Sequence, residues 1–167
     1  MKLLVTGIPG AGKSTLIRAL TEASGREPYG FYTRKGAPMP DGRVPVYIFP
    51  ARGEGERSMV GAVSERGAER FPEAFDAAAE AYLRAVPEGS LVVMDELGIM
   101  ESGAERFKSA VLRVLSGPYD VIAAVKPKRT EFLDAVRAVP GTEIYEVTAE
   151  NRSALAEKLT AAVKSGG

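Results

Sequence analysis

The sequence predicts an α/β protein, a mainly parallel sheet with helices on both faces, as one domain over residues 1–167. Three observations carry this expectation. Short apolar runs alternate with amphipathic segments along the chain. The first elements read as strand, glycine loop and helix. Two later runs, Leu91-Val92-Val93-Met94 and Val121-Ile122-Ala123-Ala124-Val125, are apolar at every position, as in strands buried on both faces. Ligands bind sheets of this kind at the carboxyl ends of the strands.

The first strand candidate, Lys2 to Thr6, leads into Gly7-Ile8-Pro9-Gly10-Ala11-Gly12-Lys13-Ser14 and then Thr15. This stretch fits G-x-x-x-x-G-K-[ST], the P-loop pattern, and lies between strand and helix as that motif requires. Gly7, Gly10 and Gly12 permit backbone angles that a Cβ would forbid, so successive N–H groups can turn inward around a phosphate. The helix start adds unpaired N–H groups and the positive end of its dipole. Lys13 is expected to reach the β- and γ-phosphates, and the Ser14 hydroxyl to take one position on Mg²⁺.

The helix keeps an apolar face through Leu16, Ile17, Leu20 and Ala23 and stops at Ser24-Gly25. Tyr29 to Arg34 and Val44 to Phe49 read as strands of a hairpin, turned at Pro40-Asp41-Gly42. Pro45 favours an edge position for the second. The segment 50–72 is rich in Gly, Arg and Glu, with one strand expected from Ser58 to Val63. It reads either as a flap carrying Arg52, Arg57, Arg66 and Arg70 or, for any single arginine more readily, as a solvated loop.

A helix follows from Glu73 to Val86, then the strand Leu91 to Met94. Ser102-Gly103-Ala104-Glu105 has capping-box form ahead of the helical spacing Phe107, Ala110, Val111, Val114 and Leu115. Gly117-Pro118 breaks that helix, and the strand Val121 to Val125 succeeds it. A short helix from Thr130 to Ala138, a strand from Glu143 to Val147 and a last helix capped by Thr148 complete the chain, with a frayed tail at Ser165-Gly166-Gly167.

Asp95-Glu96 closes the apolar run, and four apolar residues followed by Asp have the Walker B form. Asp95 is expected to support Mg²⁺ and Glu96 to polarise a water aimed at the γ-phosphate. The composition narrows the alternatives. Cys and His are both absent, so thiolate nucleophiles, zinc held by cysteine and imidazole bases are excluded, and any metal is held by oxygen. Lys plus Arg and Asp plus Glu are equal at 22 each, which argues against broad nucleic-acid binding while leaving room for a local basic patch. No apolar run approaches the roughly 18 residues of a membrane span. We therefore expect a cytoplasmic monomer without a signal peptide. Asn151 is the only asparagine and Gln is absent, which suits a thermophilic source and equally a biased base composition. In Lys126-Pro127-Lys128-Arg129, Arg129 follows a buried strand and reads either as an arginine finger for the γ-phosphate or as part of an exposed basic loop.

Four pieces together resemble the small P-loop nucleoside-triphosphatases of archaea, bacteria and animals, the family of the human cancer-related NTPase. They are Gly7 to Thr15, Gly30-Phe31-Tyr32-Thr33-Arg34, Asp95-Glu96-Leu97-Gly98-Ile99-Met100-Glu101, and Glu146-Val147-Thr148-Ala149-Glu150-Asn151-Arg152. The stretch 50–72 departs from the family's pattern. The resemblance implies a RecA-like αβα core with an inserted β-hairpin and slow, Mg²⁺-dependent hydrolysis of ATP, GTP and other triphosphates. It also implies that Asn151 and Arg152 lie near the base or ribose, although both equally suit the first turn of a capped helix. Glu101 reads as a site acid or as one stabilised by a helix start. Two other functions stay open: a P-loop kinase with a small acceptor, its lid drawn from Arg34 to Arg70, and a nucleotide-dependent, RNA-associated switch. The absence of an N-K-x-D motif argues only against a dedicated GTPase of the Ras type.

Overall fold

The structure, a computed structural model, describes residues 1–53, 55–98 and 100–165; Gly166 and Gly167, in the expected frayed tail, lie outside them. The described strands are β1 (Lys2–Thr6), β2 (Tyr29–Lys35), β3 (Val44–Pro50), β4 (Ser58–Ser64), β5 (Gly67–Arg70), β6 (Leu91–Leu97), β7 (Asp120–Val125) and β8 (Glu143–Glu146). The helices are α1 (Lys13–Ala23), α2 (Pro72–Leu83), α3 (Glu105–Ser116), α4 (Glu131–Ala138) and α5 (Arg152–Ser165). The strands form one sheet in the order β5-β4-β3-β2-β6-β7-β1-β8. Pairing is parallel from β2 through β6, β7 and β1 to β8, and antiparallel from β2 outward to β5.

Alternation along the central strands divides the core into two layers. Val92, Met94, Val121 and Ala123 face α2, α3 and α4, whose Phe75, Leu83, Phe107, Val111 and Leu133 pack there. Leu91, Val93, Ile122 and Ala124 face the other way, onto Leu16, Ile17 and Leu20 of α1 and Leu159 and Val163 of α5. The result is the three-layer αβα arrangement expected. Phe107 joins three elements of the first layer, its ring 5.4 Å from Phe31 on β2 and 5.0 Å from Phe75 on α2. Truncating such a side chain to Ala typically costs about 3–5 kcal/mol. Among the described residues no helix is long and apolar enough to cross a membrane.

Two local expectations are corrected. The hairpin of β2 and β3 forms, but β4 and β5 prolong it into a four-stranded antiparallel wing, so β3 is not an edge strand. Pro45 is tolerated because it lies opposite Gly36, just past the end of β2, where Gly36 N–H donates to Pro45 O at 2.8 Å. Its missing N–H removes one bond from the end of a ladder rather than from its middle. The capping box at Ser102 does not form: α3 begins at Glu105 with no side-chain bond from its N-cap. Asp76 of α2 serves instead, its Oδ1 accepting from Phe107 N–H at 2.9 Å.

The segment 50–72 is built into the sheet, with Val60 and Ala62 of β4 buried in the core. Arg52 pairs with Glu27 at 2.8 Å, and Arg57 lies over the Tyr47 ring at 4.2 Å. Thr130 and Thr148 do what their positions predict. Thr130 Oγ1 accepts from Leu133 N–H at 3.1 Å, and Thr148 and Asn151 exchange bonds of 2.8 and 3.1 Å ahead of α5.

Candidate active site

The loop between β1 and α1 turns where the sequence places its glycines. Gly7 has φ +150° and Gly12 φ +106°. A Cβ on Gly7 would stand 2.5 Å from the Val147 carbonyl oxygen, so this close approach of the loop to the β8 side admits no side chain. The α1 N-terminus carries no side-chain cap, which leaves its first N–H groups free of side-chain partners. Ile8, Pro9 and Gly10 are exposed at the tip, as are Ser14 and Thr15, while Ala11 is buried beneath.

Lys13 is 8% exposed, and its Nζ donates to Gly7 O at 2.8 Å and Ile8 O at 3.2 Å. The same nitrogen is 3.3 Å from Glu96 Oε2. Lys126, at the end of β7, approaches Glu96 Oε1 at 4.0 Å from the other side. Glu96 therefore sits between two ammonium groups.

The strand β6 brings the carboxylates here. Its register against β7 slips between Met94 and Leu97, where β6 uses one more residue than β7. A bulge of this kind re-aims side chains next to the site it borders. The peptide joining Asp95 to Glu96 is cis. On the β2 side Glu96 N–H donates to Thr33 Oγ1 at 3.2 Å, so the second of the four motif pieces supports the third. Asp95 is 3% exposed. Burial pushes its carboxyl up to about 6; the Ser14 hydroxyl hydrogen-bonded to it acts in the opposite direction, Glu96 adds to the rise, and Arg18 and Lys13 oppose it.

Glu101 is 2% exposed and accepts from Gly98 N–H at 2.8 Å, holding the turn that follows β6. Burial raises its carboxyl to about 7. The helix-start role does not apply to it, since α3 begins four residues later.

A cavity of about 510 Å³ runs from the loop past these carboxylates, lined at one end by Gly10, Gly12, Lys13, Ser14, Asp95 and Glu96. Pro9 and Thr15 also border it. The structure treats the remaining candidates differently. Arg129 does not line the cavity; it is 84% exposed and pairs with Asp134 at 2.8 Å. Lys126, three residues earlier in the same loop, does line it and approaches Glu96. Sequence reading passed over it because a lysine before Pro127 carries no motif, and the one available signal was its place directly after a buried strand. Arg152 stands beside the loop, its Cδ 3.6 Å from where a Cβ on Gly12 would lie. Asn151 is engaged locally, its Nδ2 donating to Glu146 O at 2.8 Å.

Among the described residues no group of three or more His, Cys, Asp or Glu side chains could hold a metal alone. Ser14 and the buried Asp95 nevertheless offer oxygen donors side by side. That fits Mg²⁺, which is usually held by one or two protein oxygens together with substrate phosphates and water.

A glycine loop on a mainly parallel αβα sheet, with a buried aspartate and a glutamate at the end of the next strand but one, defines a P-loop NTPase. The chain belongs to the NTPase family, whose model matches residues 2–160. It is 26% identical over 171 residues to nucleoside-triphosphatase THEP1 of Thermotoga maritima, covering 98% of this chain and 96% of that one. The crystal structure of THEP1 from the hyperthermophile Aquifex aeolicus superposes with a TM-score of 0.78 at 25% identity, covering 98% of this chain and 99% of that one. The solution structure of a human cancer-related nucleoside triphosphatase gives 0.75 at 25% identity, covering 99% and 98%.

Proposed function

We propose that this NTPase hydrolyses the γ-phosphate of ATP, GTP and other nucleoside triphosphates, slowly and with Mg²⁺. The observation that carries the reading is the position of Glu96, 3.3 Å from the ammonium of the P-loop lysine. Lys13 binds the β- and γ-phosphates, so a carboxylate at that distance from Lys13 is placed to take a proton from a water attacking the γ-phosphorus. Asp95 and Ser14 are the residues that would hold Mg²⁺, which when bound neutralises charge on the β- and γ-oxygens. Lys126 supplies the further positive charge. A flexible ammonium matches the transferring phosphoryl group less well than a forked guanidinium, which supports slow turnover. Arg152, beside Gly12, and Asn151 are assigned to the ribose or base.

The test is phosphate release from ATP, GTP, CTP and UTP with Mg²⁺ and with excess chelator. Release from several triphosphates, lost on chelation, supports the proposal. Release confined to one base, or undiminished by chelator, contradicts it.

A further inference from the structure

The cavity, about 510 Å³, takes the triphosphate at the end lined by the P-loop, and its other end reaches past every residue assigned to phosphate, metal or attacking water. None of its lining comes from β8 or α5, the side of the loop where Arg152 stands. It extends instead beyond Glu96, over the antiparallel wing.

That extension is a built wall. Val46 of β3, Val63 of β4 and Ala68 of β5 present partly buried apolar side chains to it, and Phe75 from the first turn of α2 and Met100 close the floor. Met100 is fixed there by a glycine: a Cβ on Gly61 of β4 would lie 2.4 Å from the Met100 methyl. The turn after β6 is thereby packed directly on the wing. Thr33, Arg34 and Lys35 of β2 line the same space, and so does Glu96, in contact with Lys13. Water alone needs no apolar wall. A flat body of low polarity bearing hydroxyl groups does, and this is the chemistry of a nucleoside.

We propose that the cavity beyond Glu96 is an acceptor site for a nucleoside, and that the protein transfers the γ-phosphoryl group to a nucleoside hydroxyl. The inference rests on the assignment of Glu96 as base. The acceptor hydroxyl gives its proton to the Glu96 carboxylate while its oxygen forms the new bond to the γ-phosphorus. The bond from that phosphorus to the β,γ-bridging oxygen breaks, and its electron pair leaves with the nucleoside diphosphate. The products are a nucleoside diphosphate, a nucleoside monophosphate and one proton.

The experiment uses the full chain with Mg²⁺ and γ-³²P-labelled ATP, alone and with adenosine, guanosine, cytidine, uridine or thymidine, separating labelled phosphate from labelled monophosphate. Labelled monophosphate with at least one nucleoside is expected. Ala68→Trp and, independently, Val63→Phe fill the wall and should lower that product at least ten-fold, while phosphate release without nucleoside changes less than about two-fold. Normal phosphate release with no labelled monophosphate from any of the five overturns the acceptor site and leaves hydrolysis standing. Monophosphate without phosphate release overturns hydrolysis alone, and neither product overturns both. If both variants fold, by thermal melting, and transfer as well as the wild type, the acceptor does not sit on this wall.

Discussion

Lys13 Nζ and Glu96 Oε2 lie 3.3 Å apart, joining the P-loop to the end of β6 in the wall of the cavity. The pair is a consequence of strand order. β6 and β1 flank β7, and the slip in register after Met94 turns Glu96 toward the loop. The ammonium of the P-loop lysine and the carboxylate at the end of β6 are thus brought into direct contact.

Lys126 and Arg129 separate cleanly in this geometry. Lys126→Ala removes the second ammonium beside Glu96 and should lower kcat by about ten-fold or more. Arg129→Ala removes a surface pair with Asp134 and should leave kcat within about two-fold. Steady-state phosphate release from the two variants checks this.

The Mg²⁺ ligation proposed for Asp95 predicts a pH dependence. Its carboxyl, raised by burial to about 6, accepts a metal only when ionised, so Mg²⁺-nucleotide affinity should rise as pH increases through about 6 and then level off. Titrating Mg²⁺ dependence of activity between pH 5 and 8 measures this. Asp95→Asn should abolish the inflection and weaken Mg²⁺ dependence at every pH.

Glu101 contributes a stability term of opposite direction to the usual carboxylate. Its folded value of about 7 lies above the ordinary value of 4.5, so between those two the native state holds more proton than the unfolded state. Stability associated with this group is present below pH 4.5 and is lost as pH rises through about 7. Glu101→Gln keeps an acceptor for Gly98 N–H and removes the charge. It should flatten the fall in melting temperature between pH 5 and 8.

Much of this architecture was legible because its signals are local. The P-loop needs glycines at fixed spacing, and the buried strands Leu91 to Met94 and Val121 to Val125 are uniformly apolar, so both could be read in order. Thr130 and Thr148 cap by contacts three residues away. The failures involve distant partners. Pro45 argued for an edge, but β4, legible as a strand though not in its partner, pairs with β3 on its far side, and β5, a four-residue strand of Gly, Ala, Glu and Arg with no alternating apolar pattern, extends the wing beyond it. Ser102 lost its capping role to Asp76, thirty-one residues before Phe107 in sequence. Lys126 joined the site through the pairing of β6 with β7, which no spacing within its own loop reveals.

The central claim is that Glu96 is the base, and it is tested most directly by comparing Glu96→Gln with Lys13→Ala for both nucleotide binding and turnover. Glu96→Gln should bind a fluorescent triphosphate within a few-fold of wild type and hydrolyse it about 10²–10⁴ times more slowly, the usual contribution of a general base. Lys13→Ala should lose the binding itself. Hydrolysis by Glu96→Gln at the wild-type rate would contradict the account, leaving the P-loop in place and its proton acceptor elsewhere.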